Sequence, residues 1–268
     1  STQHNLDILR SYGNHIIEPA SGELASHLVG KGRMEEPEKI VEVLEEFFAR
    51  QQDLAGRKIV ITAGPTYEKI DPVRFIGNYS SGKMGYALAE ACAARGAEVT
   101  LVSGPVTLHT VHPHIHRIDV ESAAEMHQAA AEAFKEADAG ILCAAVADFT
   151  PEQVAAQKIK REKDDLVLRL KPTCDIAASL GKEKRPGQVL VGFALETCDE
   201  VSHAQDKLAR KNFDFIVLNS LNDKGAGFRC DTNKITIIDR SEAVSYPLKS
   251  KKEVAEDIVD KLSSLFHS

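Results

Sequence analysis

Residues Lys58–Arg95 read KIVITAGPTYEKIDPVRFIGNYSSGKMGYALAEACAAR and predict the first strand–helix unit of an α/β fold. Lys58–Ala63 is a short apolar run rich in β-branched residues, which favours a buried strand. A long loop follows it, and glycines then open an amphipathic helix over Gly82–Arg95. Parallel sheets are built from strand–helix units of this kind.

The same alternation continues along the chain. Further strand patterns occur at Glu98–Val102, His116–Val120, Ala139–Ala145, Asp165–Leu170, Val189–Ala194 and Phe215–Asn219, and helix patterns at Ala123–Ala137, Asp199–Asn212 and Lys251–Phe266. Ser122 and Glu125 have the spacing of a capping box. Lys234–Asp239 and Ala243–Leu248 favour a late antiparallel hairpin. We therefore predict a doubly wound, mostly parallel, Rossmann-like sheet with that hairpin added.

Composition limits the partners and the compartment. The 268 residues carry a net charge of −7 with both signs interspersed, which argues against a nucleic-acid partner. No apolar run is long enough to cross a bilayer, so no membrane association is expected. Five scattered cysteines without a C-x-x-C pair are typical of a reduced protein. We predict a cytoplasmic protein.

A polar stretch, residues 51–57, separates two parts of the chain. Residues 1–50 end in the helical pattern Pro37–Arg50 and are too few to predict an independently stable domain. Residues 58–268 contain all the alternating strands and helices. The predicted organisation is thus a short N-terminal segment, a linker and one α/β domain.

The loop IGNYSSGKMG, residues 76–85, partly matches a phosphate-binding loop. Gly77, Gly82 and Lys83 have the P-loop spacing, but Met84 stands where that loop needs a hydroxyl group. The unpaired amides and the dipole of the helix start still suit an anion. Ser80 and Ser81 are predicted to cap the helix. On these residues alone, an ordinary capped helix is an equally good interpretation.

Charged residues follow several of the other strands. Asp148 comes after the apolar run AGILCAA, where a carboxylate can hold a metal or a substrate hydroxyl, or merely cap a turn. Lys158 lies in a polar loop, and Lys207 and Lys211 have i, i+4 spacing on a helix. Each lysine is also typical of a solvated surface. Together they favour a polyphosphate with magnesium over a dinucleotide, since no G-x-G-x-x-G follows the first strand.

The motifs, taken in order, resemble bacterial phosphopantothenoylcysteine synthetase from about Lys58 to the C-terminus. They are ITAGPTYEKIDPVRFIGNYSSGKMG, CAAVADF, QKIK, VGFALET, KLARKNFDFIVLN and GFRCDTNKITII. The loop KPTCDI differs from the V-K-N-P-D-I type of that family. Upstream, PASGELASHLVGKGRMEEPEKI is similar to the end of the flavin-dependent decarboxylase that precedes the synthetase in bacteria. Ser26 stands where that family has its catalytic cysteine, so residues 1–50 are expected to be a decarboxylase remnant without decarboxylase activity or bound FMN.

The resemblance implies a ligase of coenzyme A biosynthesis. Its substrates would be 4′-phosphopantothenate, cysteine and CTP, with Mg²⁺ as the cofactor and a homodimer as the active form. CTP would activate the substrate carboxylate as an acyl-cytidylate with loss of pyrophosphate. Cysteine would then attack, and CMP would leave.

The resemblance also implies roles for individual residues. Nucleotide binding would fall to Gly64, Ser80, Gly82, Gly85, Leu142, Asp148, Lys158, Phe193, Lys207 and Lys211. Phosphopantothenate would contact Asn78, Ala144, Ala145 and Asp148, with Arg74 reaching it from the neighbouring subunit. Lys158 would lie on a flap that closes over the reacting phosphate. Asn78, the uncharged amide of its loop, is expected to donate a hydrogen bond to the acyl oxygen, so that Asn78, Lys158 and Arg74 are the predicted catalytic residues. The metal ligands stay open.

Two other functions fit parts of the sequence. A nicotinamide-dependent reductase would need an acidic residue after the second strand, and SGPVTLH supplies none. A non-catalytic nucleotide sensor would be consistent with an inactive decarboxylase remnant at residues 1–50. A sensor would not, however, require Asn78, Asp148 and Lys158 together. The ligase is therefore the preferred prediction.

Overall fold

The computed structural model describes residues 2–12, 14–23, 29–50, 52–161, 165–196, 200–220 and 230–267. The chain divides into two compact units, Ser1–Asp53 and Leu54–Ser268. The first unit contains helix α1 (Thr2–Ser11), the antiparallel strands β1 (Ala20–Glu23) and β2 (Val29–Arg33), and helix α2 (Pro37–Arg50). The predicted helix at the end of this unit is confirmed. Ser26 lies outside the described residues, and the interpretation of residues 1–50 as a remnant stays a prediction.

The second unit contains the remaining elements. Its strands are β3 (Lys58–Ala63), β4 (Tyr67–Lys69), β5 (Phe75–Gly77), β6 (Glu98–Ser103), β7 (Ile115–Asp119), β8 (Ala139–Leu142), β9 (Phe149–Pro151), β10 (Leu170–Pro172), β11 (Val189–Glu196), β12 (Phe215–Ser220), β13 (Thr232–Asn233), β14 (Ile235–Asp239), β15 (Ala243–Ser245) and β16 (Lys249–Ser250). Its helices are α3 (Lys83–Ala94), α4 (Ala123–Phe134), α5 (Ile176–Glu183), α6 (Glu200–Arg210) and α7 (Lys251–Phe266).

The main sheet has eight strands in the order β15-β14-β12-β11-β8-β3-β6-β7. The strands from β12 to β7 are parallel, whereas β14 and β15 form the late antiparallel hairpin. The predicted doubly wound sheet is thus confirmed. The direction of winding reverses between β3 and β8, so these two strands mark the topological switch point where ligands bind in open α/β sheets.

Helices cover both faces of this sheet. Helices α3 and α7 pack on one face, where Leu88 and Ile258 are fully buried, and α4, α5 and α6 pack on the other, around Met126 and Leu208. Because parallel strands are buried on both faces, they read as continuous apolar runs rather than as alternating ones. Among the described residues, no helix combines the length and the apolar character needed to cross a bilayer.

Two predictions about the loops were wrong. Asp165–Arg169 is not a strand, and its side chains are exposed; only Leu170 belongs to a strand, β10, which pairs with β9 outside the main sheet. The apolar side chains of this segment do not pack against another part of the same chain. The long loop after β3 instead contains the hairpin β4–β5, where the rings of Tyr67 and Phe75 stack with centroids 3.8 Å apart. Short strands of this kind carry too little periodicity to be detected.

Candidate active site at the carboxyl edge of the sheet

The start of α3 lies against the end of β3 because two positions are glycine. Gly82 is the N-cap with a φ of 77°, a left-handed conformation that glycine adopts without strain. A Cβ on Gly85 would lie 2.5 Å from the Cβ of Ala63, so only glycine lets the helix approach this closely. The predicted capping by Ser80 and Ser81 was wrong, because no side chain caps the helix and the Ser80 hydroxyl accepts only a long bond (3.4 Å) from the Gly82 amide.

The loop before α3 is tied to the segment that follows β8. The Ala145 amide donates to the Gly64 carbonyl over 2.9 Å. The side-chain nitrogen of Asn78 donates to the carbonyls of Ala145 and Val146, both over 3.1 Å. Both amide hydrogens of Asn78 are thereby used within the protein. The expectation that Asn78 donates to an acyl oxygen is therefore at odds with this arrangement, in which Asn78 holds two strand-end segments together.

A cavity of about 150 Å³ lies beside the start of α3, and we call it the α3 cavity. Its lining includes the predicted residues Ser80, Gly82, Gly85, Ala144, Ala145 and Phe193. It also includes Lys83, which the sequence singled out only for its P-loop spacing, and three polar residues that the sequence analysis missed, namely Asn219, Asn233 and Lys251. The side-chain amide of Asn233 donates to the side-chain oxygen of Asn219 over 3.1 Å. Helix amides and two ammonium groups make this cavity suited to an anion.

A second cavity of about 410 Å³, the α6 cavity, opens on the other face of the sheet. Its lining includes the predicted residues Leu142, Ala144, Asp148, Phe193, Lys207 and Lys211. Ala144 and Phe193 line both cavities, which therefore adjoin at the switch point. Lys211 pairs with Asp175 at 2.9 Å, and Asp175 caps α5. Burial alone raises the pKa of Asp175, but the Ala178 amide and Lys211 outweigh it and lower that pKa.

Arg74 and Lys158 line neither cavity. Arg74 pairs with Asp71 at 2.7 Å and donates to the Ile159 carbonyl over 2.5 Å. The Ile159 amide in turn donates to Asp71. Burial alone raises the pKa of Asp71, but the amides of Val73, Ile159 and Arg74 and the guanidinium lower it to about 2. Lys158 is thus exposed, whereas the backbone carbonyl and amide of the next residue, Ile159, are both hydrogen-bonded.

Gly64 lies behind the α3 cavity rather than in its lining. Its φ is 79°, and a Cβ there would lie 3.0 Å from Val106 and 3.2 Å from the Gly104 carbonyl. A Cβ on Gly82 would approach the Gly64 backbone to 3.6 Å. Gly64 therefore permits the close packing of the α3 start.

Two signals could have revealed the missed polar residues. Asn219 ends the apolar run FIVLN, and the strand-end argument applied to Asp148 applies equally to it. Lys251 is the first residue of α7, and a cation at the positive end of a helix is unfavourable without another role. Its burial, with only 7% of its surface exposed, could not be read from the sequence.

Cys143 also lines the α3 cavity. Burial raises the pKa of its thiol to about 12, even though Lys251 lowers it somewhat. The nucleophilic form of cysteine is the thiolate. A neutral Cys143 thiol is therefore not an activated nucleophile.

The amino-acid sequence of the chain matches a known protein family. The profile described as "DNA/pantothenate metabolism flavoprotein C-terminal domain" matches residues 54–265. A cysteine/cysteine sulfinic acid decarboxylase from an unknown prokaryotic organism is 60% identical, over 100% of this chain and 76% of that protein. The coenzyme A biosynthesis bifunctional protein CoaBC of Bacillus subtilis (strain 168) is 46% identical, over 99% of this chain and 66% of its own length. The chain thus spans about two thirds of that bifunctional relative.

A solved structure agrees with the sequence relatives. The C-terminal domain of a coenzyme A biosynthesis bifunctional protein CoaBC is 41% identical, with a TM-score of 0.69. The match covers 81% of this chain and 98% of that domain. The α/β unit of the chain therefore corresponds to nearly the whole of that domain.

Proposed function

Because this chain belongs to the family of the DNA/pantothenate metabolism flavoprotein C-terminal domain, we propose that it is a ligase that joins 4′-phosphopantothenate to cysteine, at the expense of CTP. One observation carries the proposal: two cavities adjoin at the topological switch point and share Ala144 and Phe193. One of them is lined by helix amides and ammonium groups, and the other by Asp148, Lys207 and Lys211. A nucleoside triphosphate has the matching division into a nucleoside and an anionic tail.

The chemistry requires that two anions approach each other. In the first step, the substrate carboxylate attacks the α-phosphorus of CTP and pyrophosphate leaves. In the second step, the amine of cysteine attacks the acyl carbon and CMP leaves. Lysine side chains and helix amides favour these steps because they stabilise the negative charge on the phosphates. We assign the nucleoside to the α6 cavity and the reacting phosphate to the junction near Ala144.

Asp148 is the candidate ligand for Mg²⁺ at this junction. Magnesium is usually held by one or two carboxylates together with substrate phosphates. Within the described ranges, no group of three His, Cys, Asp or Glu side chains could form a metal site by itself. Asp148, which lies just before β9 and lines the α6 cavity, supplies one such carboxylate, and the ion would neutralise phosphate charge there.

The ligase proposal is tested by incubating the protein with CTP, Mg²⁺ and phosphopantothenate, with and without cysteine, and measuring pyrophosphate and CMP separately. We expect pyrophosphate in both cases and CMP with amide product only when cysteine is present. The name of the 60% identical relative suggests decarboxylation as a second candidate. Release of CO₂ from cysteine or cysteine sulfinate, without nucleotide consumption, would favour that candidate instead.

CTP should be a much better substrate than ATP. A site built to hydrogen-bond the amine and carbonyl of cytosine leaves polar groups unpaired when another base enters, which costs on the order of 10²-fold or more in kcat/KM. UTP is the matched comparison, because it keeps the pyrimidine ring and changes the exocyclic amine to a carbonyl. Equal kcat/KM values for the three nucleotides would contradict cytosine recognition.

The proposed active form is a homodimer. Several apolar side chains of the β4–β5 and β9–β10 region are about half exposed or more in the single chain: Val73, Phe75, Phe149, Val154, Leu166 and Val167. Exposed apolar patches of this kind mark protein interfaces. Arg74 lies in the same region, which supports its proposed role in the site of the neighbouring subunit.

Mixed dimers separate that role from a local one. If Arg74 serves the neighbouring subunit, mixing inactive Arg74→Gln with inactive Lys158→Gln protein restores one intact site per mixed dimer. If Arg74 only anchors Ile159 of its own chain, every site in the mixed dimer stays defective. We expect partial recovery of turnover after subunit exchange. Native mass spectrometry must show that mixed dimers form, and inactive mixed dimers would rule out shared sites.

A further inference from the structure

Lys251 carries its ammonium group at a position that is unfavourable for a positive charge. It is 7% exposed, and its Nζ donates to the carbonyl of Cys230. It is the first residue of α7, so its charge also lies at the positive end of a helix dipole. Burial lowers the pKa of Lys251 and the nearby ammonium of Lys83 lowers it further, whereas Cys230, Asp231 and Cys143 oppose this lowering. Each of these costs would be reduced by an anion in the adjoining cavity.

The surroundings of Lys251 are positively charged on the cavity side. Lys83, in the first turn of α3, pairs with Asp231 at 2.6 Å, and the backbone amide of Lys251 donates to the Asp231 carbonyl over 2.9 Å. The described residues that line the α3 cavity include two lysines and no Asp or Glu. The start of α3 closes the same cavity. Two helix starts and two ammonium groups therefore meet around one small space.

We propose that Lys251 and Lys83 form a subsite for the β- and γ-phosphates of the nucleoside triphosphate and hold the pyrophosphate that leaves. This inference rests on the proposed function for the identity of the anion. If the nucleoside occupies the α6 cavity and the α-phosphate lies at the Ala144–Phe193 junction, the linear order of the phosphates carries the terminal two into the α3 cavity. Lys251 lines that cavity and not the other.

The role of this subsite follows from the bonds that change. A carboxylate oxygen forms a bond to the α-phosphorus, and the bond from that phosphorus to the bridging oxygen breaks with its electron pair going to pyrophosphate. Negative charge thus grows on the oxygen that leaves. In this role the ammonium groups of Lys251 and Lys83 stabilise that charge without transferring a proton.

The test compares Lys251→Met with Lys252→Met, which removes a neighbouring but exposed lysine of the same helix. Calorimetry would measure the binding of inorganic pyrophosphate, CTP and CMP to each variant and to the wild-type protein. We expect Lys251→Met to weaken pyrophosphate and CTP by about 10- to 100-fold, the usual effect of losing a hydrogen bond to a charged group, and to leave CMP unchanged. Lys252→Met should bind all three normally.

Two outcomes would overturn the subsite. They are unchanged pyrophosphate binding in a folded Lys251→Met protein, and an equal loss of CMP and CTP affinity. Thermal unfolding would report whether the variant folds; if it does not, the partly exposed Lys83→Met must show the same selective loss. Pyrophosphate binding needs no turnover. A wild-type protein that binds pyrophosphate but makes no amide would therefore refute the ligase and leave the anion subsite standing.

Discussion

Lys158→Gln should lower turnover by about 10²- to 10³-fold, the effect of removing one group that stabilises charge in a transition state, while the dissociation constant of CTP changes little. Lys158 is exposed and lines neither cavity, so under this prediction it would reach the reacting phosphate only if its loop moved. Interactions made only in the transition state affect kcat rather than ground-state binding. Rapid-quench measurement of pyrophosphate release, with a separate CTP titration, would check both quantities.

Lys160→Gln is the matched control for this variant. Lys160 is also exposed and lies on the other side of the anchored Ile159, so it loses the same charge from the same loop. We expect near-normal turnover in Lys160→Gln and partial recovery in Lys158→Arg. A Lys158→Gln protein with normal kcat and a raised KM for CTP would instead make Lys158 a ground-state anchor.

Asn78→Asp should slow both half-reactions together by about 10²-fold, the cost of a misplacement of roughly 1 Å in an active site. A hydrogen bond from Asn78 to the acyl oxygen, the role that the family resemblance implies, would instead make the loss selective for the second step. In the structure, both side-chain hydrogens of Asn78 go to the carbonyls of Ala145 and Val146. An aspartate there places a carboxylate against two carbonyl oxygens and pushes the loop away from the end of β8.

Quenched single-turnover reactions would follow pyrophosphate, acyl-cytidylate and amide in this variant. Asn78→Ala removes the two hydrogen bonds without adding charge, so we expect it to be slowed less than Asn78→Asp and equally in both steps. Accumulated acyl-cytidylate with normal pyrophosphate release would contradict the positioning role and restore the oxyanion-donor hypothesis.

The elements of the sheet could be predicted because their signals are local. The apolar runs at Lys58–Ala63 and Phe215–Asn219, and the capping box at Ser122, depend on neighbouring residues, and the structure confirms them. The hairpin β4–β5 could not be predicted, since its strands have three residues each and its stabilising ring stack joins Tyr67 to Phe75. The strand predicted at Asp165–Arg169 was wrong because its local apolar pattern has no packing partner in the chain.

By itself, the sequence determined the α/β class, the parallel alternation and the position of the glycine-opened start of α3, because periodicity and glycine spacing act over a few residues. Only the tertiary structure decided which side chains share a cavity. Lys251 begins α7 and Asn219 is the last residue but one of β12, yet both line the cavity at the start of α3, because α7 packs on α3 and β12 lies two strands from β8. It also gave Asn78 its partners at the end of β8. Such encounters depend on the order of strands in the sheet and on burial, and neither leaves a local pattern that can be read along the chain.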